Sequence, residues 1–249
     1  MRVSRPAFVS VIIPVHNGET FIAEAIASVV AQRNLPLEIV VIDDGSTDGS
    51  AAIVRAHGDA VRYRHQPRAG VAAARNAGLA LAAGDLIGFL DQDDLWPEDK
   101  LAVLLPFLAA NPRLEAVYGL TSRIVVGQRQ APAPVFNWHL GSALFRRSLF
   151  ARIGTFDETV RYYADDTDFF LRLRESKAGV AYVDRVTLIY RTHGGNTSLT
   201  MGGPPRAFFV EVLKRSLDRR RRAADMSVSP LPEFVRRMAA GAQPEDDHE

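Results

Sequence analysis

Asp91, Asp93 and Asp94 crowd together directly after an apolar run, Leu86–Leu90 (LIGFL). Carboxylates this close repel one another unless a cation sits among them. Mg²⁺ suits such a cluster, because it takes one or two carboxylates together with substrate phosphate oxygens. A polar turn leading into a helix near Pro97 accounts for the same residues equally well. A second acidic pair, Asp43–Asp44, follows the apolar run Leu37–Ile42 (LEIVVI). These carboxylates offer acceptors to a nucleobase N–H or a ribose hydroxyl, or simply form a turn and a helix cap with Ser46 and Asp48. A third group, Asp165, Asp166 and Asp168, precedes FFLRLRE. It offers either a general base or three acids at one helix start.

The surrounding pattern says how these groups are presented. Phe8–Val15, Leu37–Ile42 and Asp85–Leu90 read as strands from their short apolar runs, and Val61–His65 as a further short strand. Between them, Glu19–Gln32 repeats apolar residues at helical spacing, a helix runs up to about Ala56, and Val71–Ala83 forms an alanine-rich helix after Gly70. Alternation at this spacing predicts a parallel, doubly wound sheet with right-handed crossovers. The Pro14–Glu19 turn and both acidic strand ends then share one edge of the sheet, where open α/β sheets bind ligands. A phosphoacceptor domain clusters acids in the same way, so the fold class alone does not define a function. HNGETF after the first strand lacks the GxGxxG of dinucleotide sites, and no P-loop is present.

The chain has 249 residues, 47% hydrophobic and 24% charged, with a net charge of +1. That suits one globular domain, alone or with an extension. Near-neutral charge argues against a dedicated nucleic-acid binder. With no cysteine, disulfides, thiol catalysis and cysteine-ligated zinc are excluded. Arg2 and Arg5 precede a short apolar run, but Pro14, His16 and Asn17 follow it where a signal peptide would have small residues. No stretch reaches transmembrane length, and a soluble, cytoplasmic protein is expected.

Six segments in order carry a family resemblance. VSVIIPVHNGETFIAEAIASVVAQ, EIVVIDDGSTDGS and GVAAARNAGLALAAGDLIGFLDQDDLWPEDKL resemble the nucleotide-sugar half of inverting family 2 glycosyltransferases. GSALFRRSLFARIGTFDE, YYADDTDFFLRLRE and YRTHGGNTS resemble their acceptor-side, catalytic-base and closing-loop segments. The likeness covers roughly residues 7–200. It implies a GT-A fold: an α/β protein with a Rossmann-like, parallel or mixed nucleotide-binding central sheet flanked by helices. Residues 1–203 would form that domain, with a nucleotide-sugar half at 1–96 and an acceptor half at 97–203, and residues 204–249 a C-terminal helical extension.

The resemblance also implies roles. The donor would be a nucleoside-diphosphate sugar, most commonly UDP-linked, and the cofactor Mn²⁺ or Mg²⁺. Asp44 would contact uracil, with Asp43 beside it and Pro14, Val15, His16 and Glu19 around the pocket. Asp93 would hold the metal, with His193 of the closing loop approaching it, or standing merely exposed to solvent. Asp91 would meet the ribose or donor sugar, and Asp94 would be a further acidic partner. Gly70 and Arg75 would supply N–H groups and positive charge near the diphosphate, although Arg75 also reads as a surface arginine. Family members usually carry Glu-Asp where this chain has Asp165–Asp166, which assigns the base to Asp166, ionised at neutral pH beside a cation. Asp165 would contact acceptor or supporting groups, and Asp168 would be a plain cap. Trp138 would form a platform for a sugar ring or pack in the core, and Gly141 and Ser142 would allow close approach to the acceptor, an unknown hydroxyl compound. Trp96 is expected to pack beside the site. Acceptor selectivity is expected in Gly119–Asn137 with its Ala131–Pro134 loop.

Beyond Thr200, Pro204–Pro205 begins a helix with Phe208, Phe209, Val212, Leu213 and Leu217 on one face. That face suits a partner such as a second copy. Arg219–Arg222 reads as a solvated basic face, or as a contact with an anionic membrane surface at the inner face of the membrane. A short helix is expected after Pro230 or Pro232, and Gln243–Glu249 as a polar, disordered tail. A binding module that kept the fold without catalysis is the rival reading. A sugar-phosphate nucleotidyltransferase is a weaker one, because its glycine-rich first loop is missing.

Overall fold

The computed structural model describes residues 7–32, 35–127, 132–160, 164–196 and 206–227. Strand β1 (Val9–Val15), helix α1 (Ile22–Val30), β2 (Leu37–Asp44), α2 (Ser50–Arg55), β3 (Val61–Gln66), α3 (Val71–Leu81) and β4 (Leu86–Phe89) alternate in turn. Then follow α4 (Lys100–Ala110), β5 (Leu114–Val125), β6 (Ala143–Arg146), α5 (Arg147–Ile153), α6 (Asp165–Glu175), β7 (Gly179–Thr192) and α7 (Arg206–Arg222). The seven strands form one sheet in the order β3-β2-β1-β4-β6-β5-β7.

The first four strands are parallel, whereas β6 runs antiparallel to both β4 and β5. The sheet is therefore mixed, and an all-parallel expectation holds only for its first half. Burial on both faces explains why β1 is almost wholly apolar, Ser10 being its one polar residue. Val9, Val11, Ile13 and Val15 face a core shared with α1 and α4, while Ile12 faces a second core shared with α3, α5 and α6. Gly88 lets Trp96 lie against β4: a Cβ there would come within 2.6 Å of the indole. Trp96 is accordingly buried.

Two expectations shift by a few residues. β2 continues through Asp43 and Asp44, so both acids sit in the ladder, with Asp43 in register with Val15. The helix expected near Pro97 starts at Lys100.

The C-terminal helix departs further from expectation. Of the face expected to suit a partner, Val212 is buried within the chain while Leu213 and Leu217 are exposed. Arg219 turns toward α6, and only Arg221 and Arg222 of the four terminal arginines are exposed. Among the described residues, no helix is long and apolar enough to cross a membrane. The short helix expected after Pro230 or Pro232, the Gln243–Glu249 tail and the side chains of Phe208 and Phe209 lie outside the described residues.

Candidate functional site

The turns after β1 and β2 are bonded to each other. Asn17 N–H donates to Ser46 Oγ (3.0 Å), Thr47 N–H to Asn17 Oδ1 (2.8 Å) and Gly18 N–H to Ser50 Oγ (2.8 Å). Glu19 is exposed, and its carboxylate accepts from Gly49 N–H (2.7 Å). Asp48 accepts from Glu19 N–H (3.0 Å) and from the backbone N–H of Ser50, so it satisfies the start of α2 although Gly49 is the capping residue. Pro14 and Val15 are buried, and His16 is half-buried. The His16 backbone meets Gln92 twice: His16 N–H donates to Oε1 (2.7 Å), and Nε2 donates to the His16 carbonyl (3.2 Å). Gln92 thus fixes the acidic loop after β4 against β1. Its place between Asp91 and Asp93 was the only signal for it in the sequence.

Asp43 and Asp44 point to different partners. Asp43 accepts from Ser46 N–H (2.8 Å) and Tyr63 OH (2.6 Å). Burial pushes its pKa up, but these hydrogen bonds outweigh burial and hold it below the usual carboxylate range. The same arrangement pushes the Tyr63 phenol up to about 12, through burial first and then Asp43. Asp44 is buried and accepts from Gln66 Nε2 (2.8 Å), Arg68 Nη1 (2.5 Å), Ala69 N–H (2.8 Å) and Gly70 N–H (2.8 Å). Of these donors Arg68 has a side chain that is half exposed, at 49%. Gly70 caps α3 with a φ of +101°, a conformation glycine adopts freely.

Arg75, on α3, is no surface arginine. It is buried, with Nη2 on Asp91 Oδ1 (2.9 Å) and Nη1 on Asp165 Oδ2 (2.7 Å). One planar fork therefore joins the strand-end acid of β4 to Asp165 in the first turn of α6, 90 residues from Arg75 in sequence. Burial alone would lower the Arg75 pKa, but Asp91, Asp165 and Asp166 raise it above the ordinary value. Its neighbour Asn76 clamps Phe156 by accepting from its N–H (2.9 Å) and donating to its carbonyl (2.9 Å).

Asp166 is half-buried beside this pair. Burial, then the Asp165 carboxylate, push its pKa up to about 7, against the opposing pull of Arg75. The sequence implies a carboxylate kept ionised at neutral pH by a helix start and a nearby cation. Arg75 directs both arms to Asp91 and Asp165, and among the described residues Asp166 has no ion pair of its own. Asp168 is not a cap either. Ala164 precedes α6 without a side-chain cap, and the Asp168 oxygens instead pair with Arg172 (2.7 Å) and Arg219 (2.9 Å).

Around the β4 loop, Asp94 is fully buried. Its Oδ1 accepts from Arg191 N–H (3.0 Å), while Oδ2 has no hydrogen-bond partner. Burial, then Asp91 and Asp93, raise its pKa well above the usual value. Burial, then Asp91, also raise Asp93. Asp91 is held low, because Arg75 and His139 outweigh its burial. Oxygens of Asp91 and Asp94 and the His139 ring lie within 4.8 Å of one another. An orphaned buried carboxylate oxygen next to two more carboxylates fits a hard divalent cation held by oxygen ligands. The histidines fit that role less well. His139 Nδ1 accepts from Gly141 N–H (3.1 Å), and His193 Nδ1 from Gly195 N–H (3.2 Å). In the neutral ring each Nε2 then carries the proton. His139 Nε2 faces Asp91 and Asp94 at 3.9 Å, and His193 Nε2 lies 3.1 Å from Asp93 Oδ2. Asn196 Nδ2 donates to the same Asp93 oxygen (3.2 Å), a contact the sequence did not suggest. His193 also rests on Phe21, with ring centroids 4.3 Å apart.

On the acceptor side, Trp138 packs against Tyr118 (5.3 Å), Phe170 (5.3 Å), Phe136 (5.7 Å) and Tyr182 (6.1 Å), as core packing requires. Gly141 and Ser142 are buried in a single helical turn, Leu140–Ser142, that carries His139. The Gly141 carbonyl accepts from Lys100 Nζ, a fully buried amine lying over the Trp96 ring at 4.1 Å. Burial alone pushes the Lys100 pKa well down.

The mixed seven-stranded sheet flanked by helices is a GT-A fold, and known proteins bear the likeness out. The chain belongs to glycosyl transferase family 2, whose family model matches residues 10–172. EpsJ of Bacillus subtilis (strain 168), an uncharacterized glycosyltransferase, is 33% identical over 209 residues. That match takes in 74% of this chain and 60% of EpsJ, so the chain spans less than two thirds of that relative. Among solved structures, the mannosyltransferase PcManGT of Pyrobaculum calidifontis, in complex with GDP-Man and Mn²⁺, has a TM-score of 0.67 at 24% identity, covering 95% of this chain and 70% of PcManGT. TarS (residues 1–349) of S. aureus in complex with UDP-GlcNAc has a TM-score of 0.66 at 22% identity, covering 84% of this chain and 65% of that one. Both share the fold.

Proposed function

We propose that this protein is a metal-dependent inverting glycosyltransferase that moves a sugar from a nucleoside-diphosphate donor to an acceptor hydroxyl. The observation that carries the reading is the Arg75 bridge, which brings Asp91 of the nucleotide-sugar half and Asp165 of the acceptor half onto one guanidinium, with Asp166 beside them.

Asp166 is the base. Its pKa of about 7 leaves it able to take a proton near neutral pH and strong enough as a base to want one. It removes the acceptor hydroxyl proton as that oxygen forms its bond to the anomeric carbon. The bond to the diphosphate oxygen breaks on the opposite face, the electron pair leaves with the diphosphate, and the configuration inverts. A divalent cation held by the Asp91, Asp93 and Asp94 carboxylates would neutralise charge on the departing diphosphate. Asp91 stays ionised through Arg75 and is available to the ribose or donor sugar.

Asp44 selects the base. A carboxylate accepts an N–H, so it favours uracil or guanine, whose ring nitrogen at the pairing edge is protonated, over cytosine or adenine, whose ring nitrogen there is bare. Arg68, exposed and bonded to Asp44, is the donor that yields its place and turns to a base carbonyl. Uracil, with one N–H between two carbonyls, matches a carboxylate flanked by Arg68 and Gln66, which supports UDP as the carrier. The complexes of TarS with UDP-GlcNAc and of PcManGT with GDP-Man agree with this choice of bases.

The test is nucleoside-diphosphate release from a panel of UDP-, GDP-, CDP- and ADP-sugars with Mn²⁺ or Mg²⁺. Turnover confined to UDP- or GDP-sugars, lost in Asp166→Asn, supports the reading. A protein that binds the nucleotide tightly and releases no product with any acceptor mixture would make it a binding module instead.

A further inference from the structure

Arg219 is the one member of its four-arginine run that reaches the base helix. It donates from Nη1 to Asp168 (2.9 Å), and from Nε and Nη2 to the two oxygens of Glu175 (2.8 and 3.2 Å). Asp168 lies in the first turn of α6 and Glu175 in its last, so one guanidinium on α7 ties the two ends of that helix together. The contact is also packed. Ser216 Oγ donates to Glu175 (2.5 Å), Val212 is buried, and Arg215 pairs with Asp157 (2.8 Å) in the segment before α6.

Asp168 passes this contact onward. It is buried, and its second oxygen pairs with Arg172. The remaining Arg172 N–H groups donate to the carbonyls of Ile153 (2.7 Å), Gly154 (3.1 Å) and Thr155 (2.7 Å). That loop ends at Phe156, which Asn76 holds next to Arg75. A run of hydrogen bonds, charge-assisted from Arg219 through Arg172 and neutral at Asn76, thus leads from α7 to the first turn of α6 and to the residue beside Arg75.

We infer that the C-terminal helix is part of the acceptor-side machinery: Arg219 is a positioning residue that, through Asp168, sets the first turn of α6 and the charge around Asp166. The inference rests on Asp166 being the base. The charged groups acting on Asp166 are Asp165 on its own helix, Arg75 from α3 and Asp91 from the β4 loop, while Asp168, two residues further along, pairs with Arg172 and Arg219. Removing Arg219 leaves a buried carboxylate with one cation instead of two, close to the proton-accepting group. The turn loosens and protonation of Asp166 becomes easier.

The full-length chain is assayed as UDP release from UDP-glucose and UDP-N-acetylglucosamine with Mn²⁺ between pH 5.5 and 8.5, alongside amide hydrogen exchange. Arg219→Ala is expected to lower kcat about tenfold with donor KM within twofold of wild type, because the loss is one of orientation rather than binding. Its acid limb in kcat should move up by about half a pH unit, the sign expected when a nearby negative charge loses its partner. Exchange should rise in the first turn of α6 and stay unchanged in β1–β4. Arg219→Lys, which can hold one of the two carboxylates, should recover part of kcat. Glu175→Gln keeps the Arg219–Asp168 pair, so it should lower the melting temperature and leave the acid limb in place. If Arg219→Ala unfolds under assay conditions, the Lys and Gln variants decide by that same contrast. Arg221→Ala, whose side chain is 70% exposed, should match wild type. Wild-type kcat and acid limb in Arg219→Ala, with Asp166→Asn inactive, would overturn this inference alone. Full turnover in Asp166→Asn would instead remove the base assignment beneath it.

Discussion

In the N-terminal half, Asp43 and Asp44 take backbone N–H groups as well as side chains as donors; in the C-terminal half, Asp165 and Asp168 pair with arginines. Asp43 accepts from the N–H of Ser46, and Asp44 from those of Ala69 and Gly70. Across the sheet, Asp165 and Asp168 depend on Arg75, Arg172 and Arg219, which come from three different helices. Backbone donors are fixed by the strands and turns that carry them, and they suit a pocket whose shape must not vary. Arginine forks leave a choice of which carboxylate is paired. In the C-terminal half that choice leaves Asp166 without an ion pair among the described residues, and burial with Asp165 raises its pKa to about 7, the range a proposed general base requires.

This contrast can be broken from either side. Asp166→Asn should have the largest effect, lowering turnover about a thousandfold in steady-state assays at pH 8, because an amide cannot take the proton. Arg75→Lys comes next. An ammonium cannot fork to Asp91 and Asp165 together, so turnover should fall about a hundredfold. Arg75→Ala should in addition destabilise the fold by about 3 kcal/mol in urea unfolding, since it strands two carboxylates at a buried position. Asp44→Asn should weaken nucleoside-diphosphate binding about tenfold by calorimetry, with kcat little changed, as the loss of one charge-assisted hydrogen bond implies. Trp138→Ala should leave nucleotide affinity unchanged and cost about 2 kcal/mol of stability, below the range for a fully buried aromatic.

The nucleotide-sugar half was readable in the sequence because its strands are short, continuous apolar runs whose ends carry the acids. Asp43 and Asp44 lie within the last two positions of β2 rather than beyond it, which leaves them at the sheet edge that pattern indicates. The reversal at β6 was not readable. Ala143–Arg146 is only four residues long, and its direction is set by pairing with strands more than twenty residues away. Arg75 looked like an ordinary helix arginine, because periodicity says which face a residue takes but not what a distant segment brings to it. Asp168 looked like a cap for the same reason: its partners Arg172 and Arg219 are four and 51 residues away. Gln92 and Asn196 carry no signal in residue type. Each is placed by a backbone group or a carboxylate that only the folded chain supplies.

The most direct test of the central claim, that Asp166 removes the acceptor proton from a site assembled around Arg75, is the pH dependence of kcat for nucleoside-diphosphate release. Burial and Asp165 raise the Asp166 pKa, so the active form is the one above that pKa. The account predicts an acid limb centred near pH 7, falling about tenfold per unit below it, and absent from the residual activity of Asp166→Asn. A wild-type profile level from pH 8 down to 5.5, or the same limb persisting in Asp166→Asn, would contradict it.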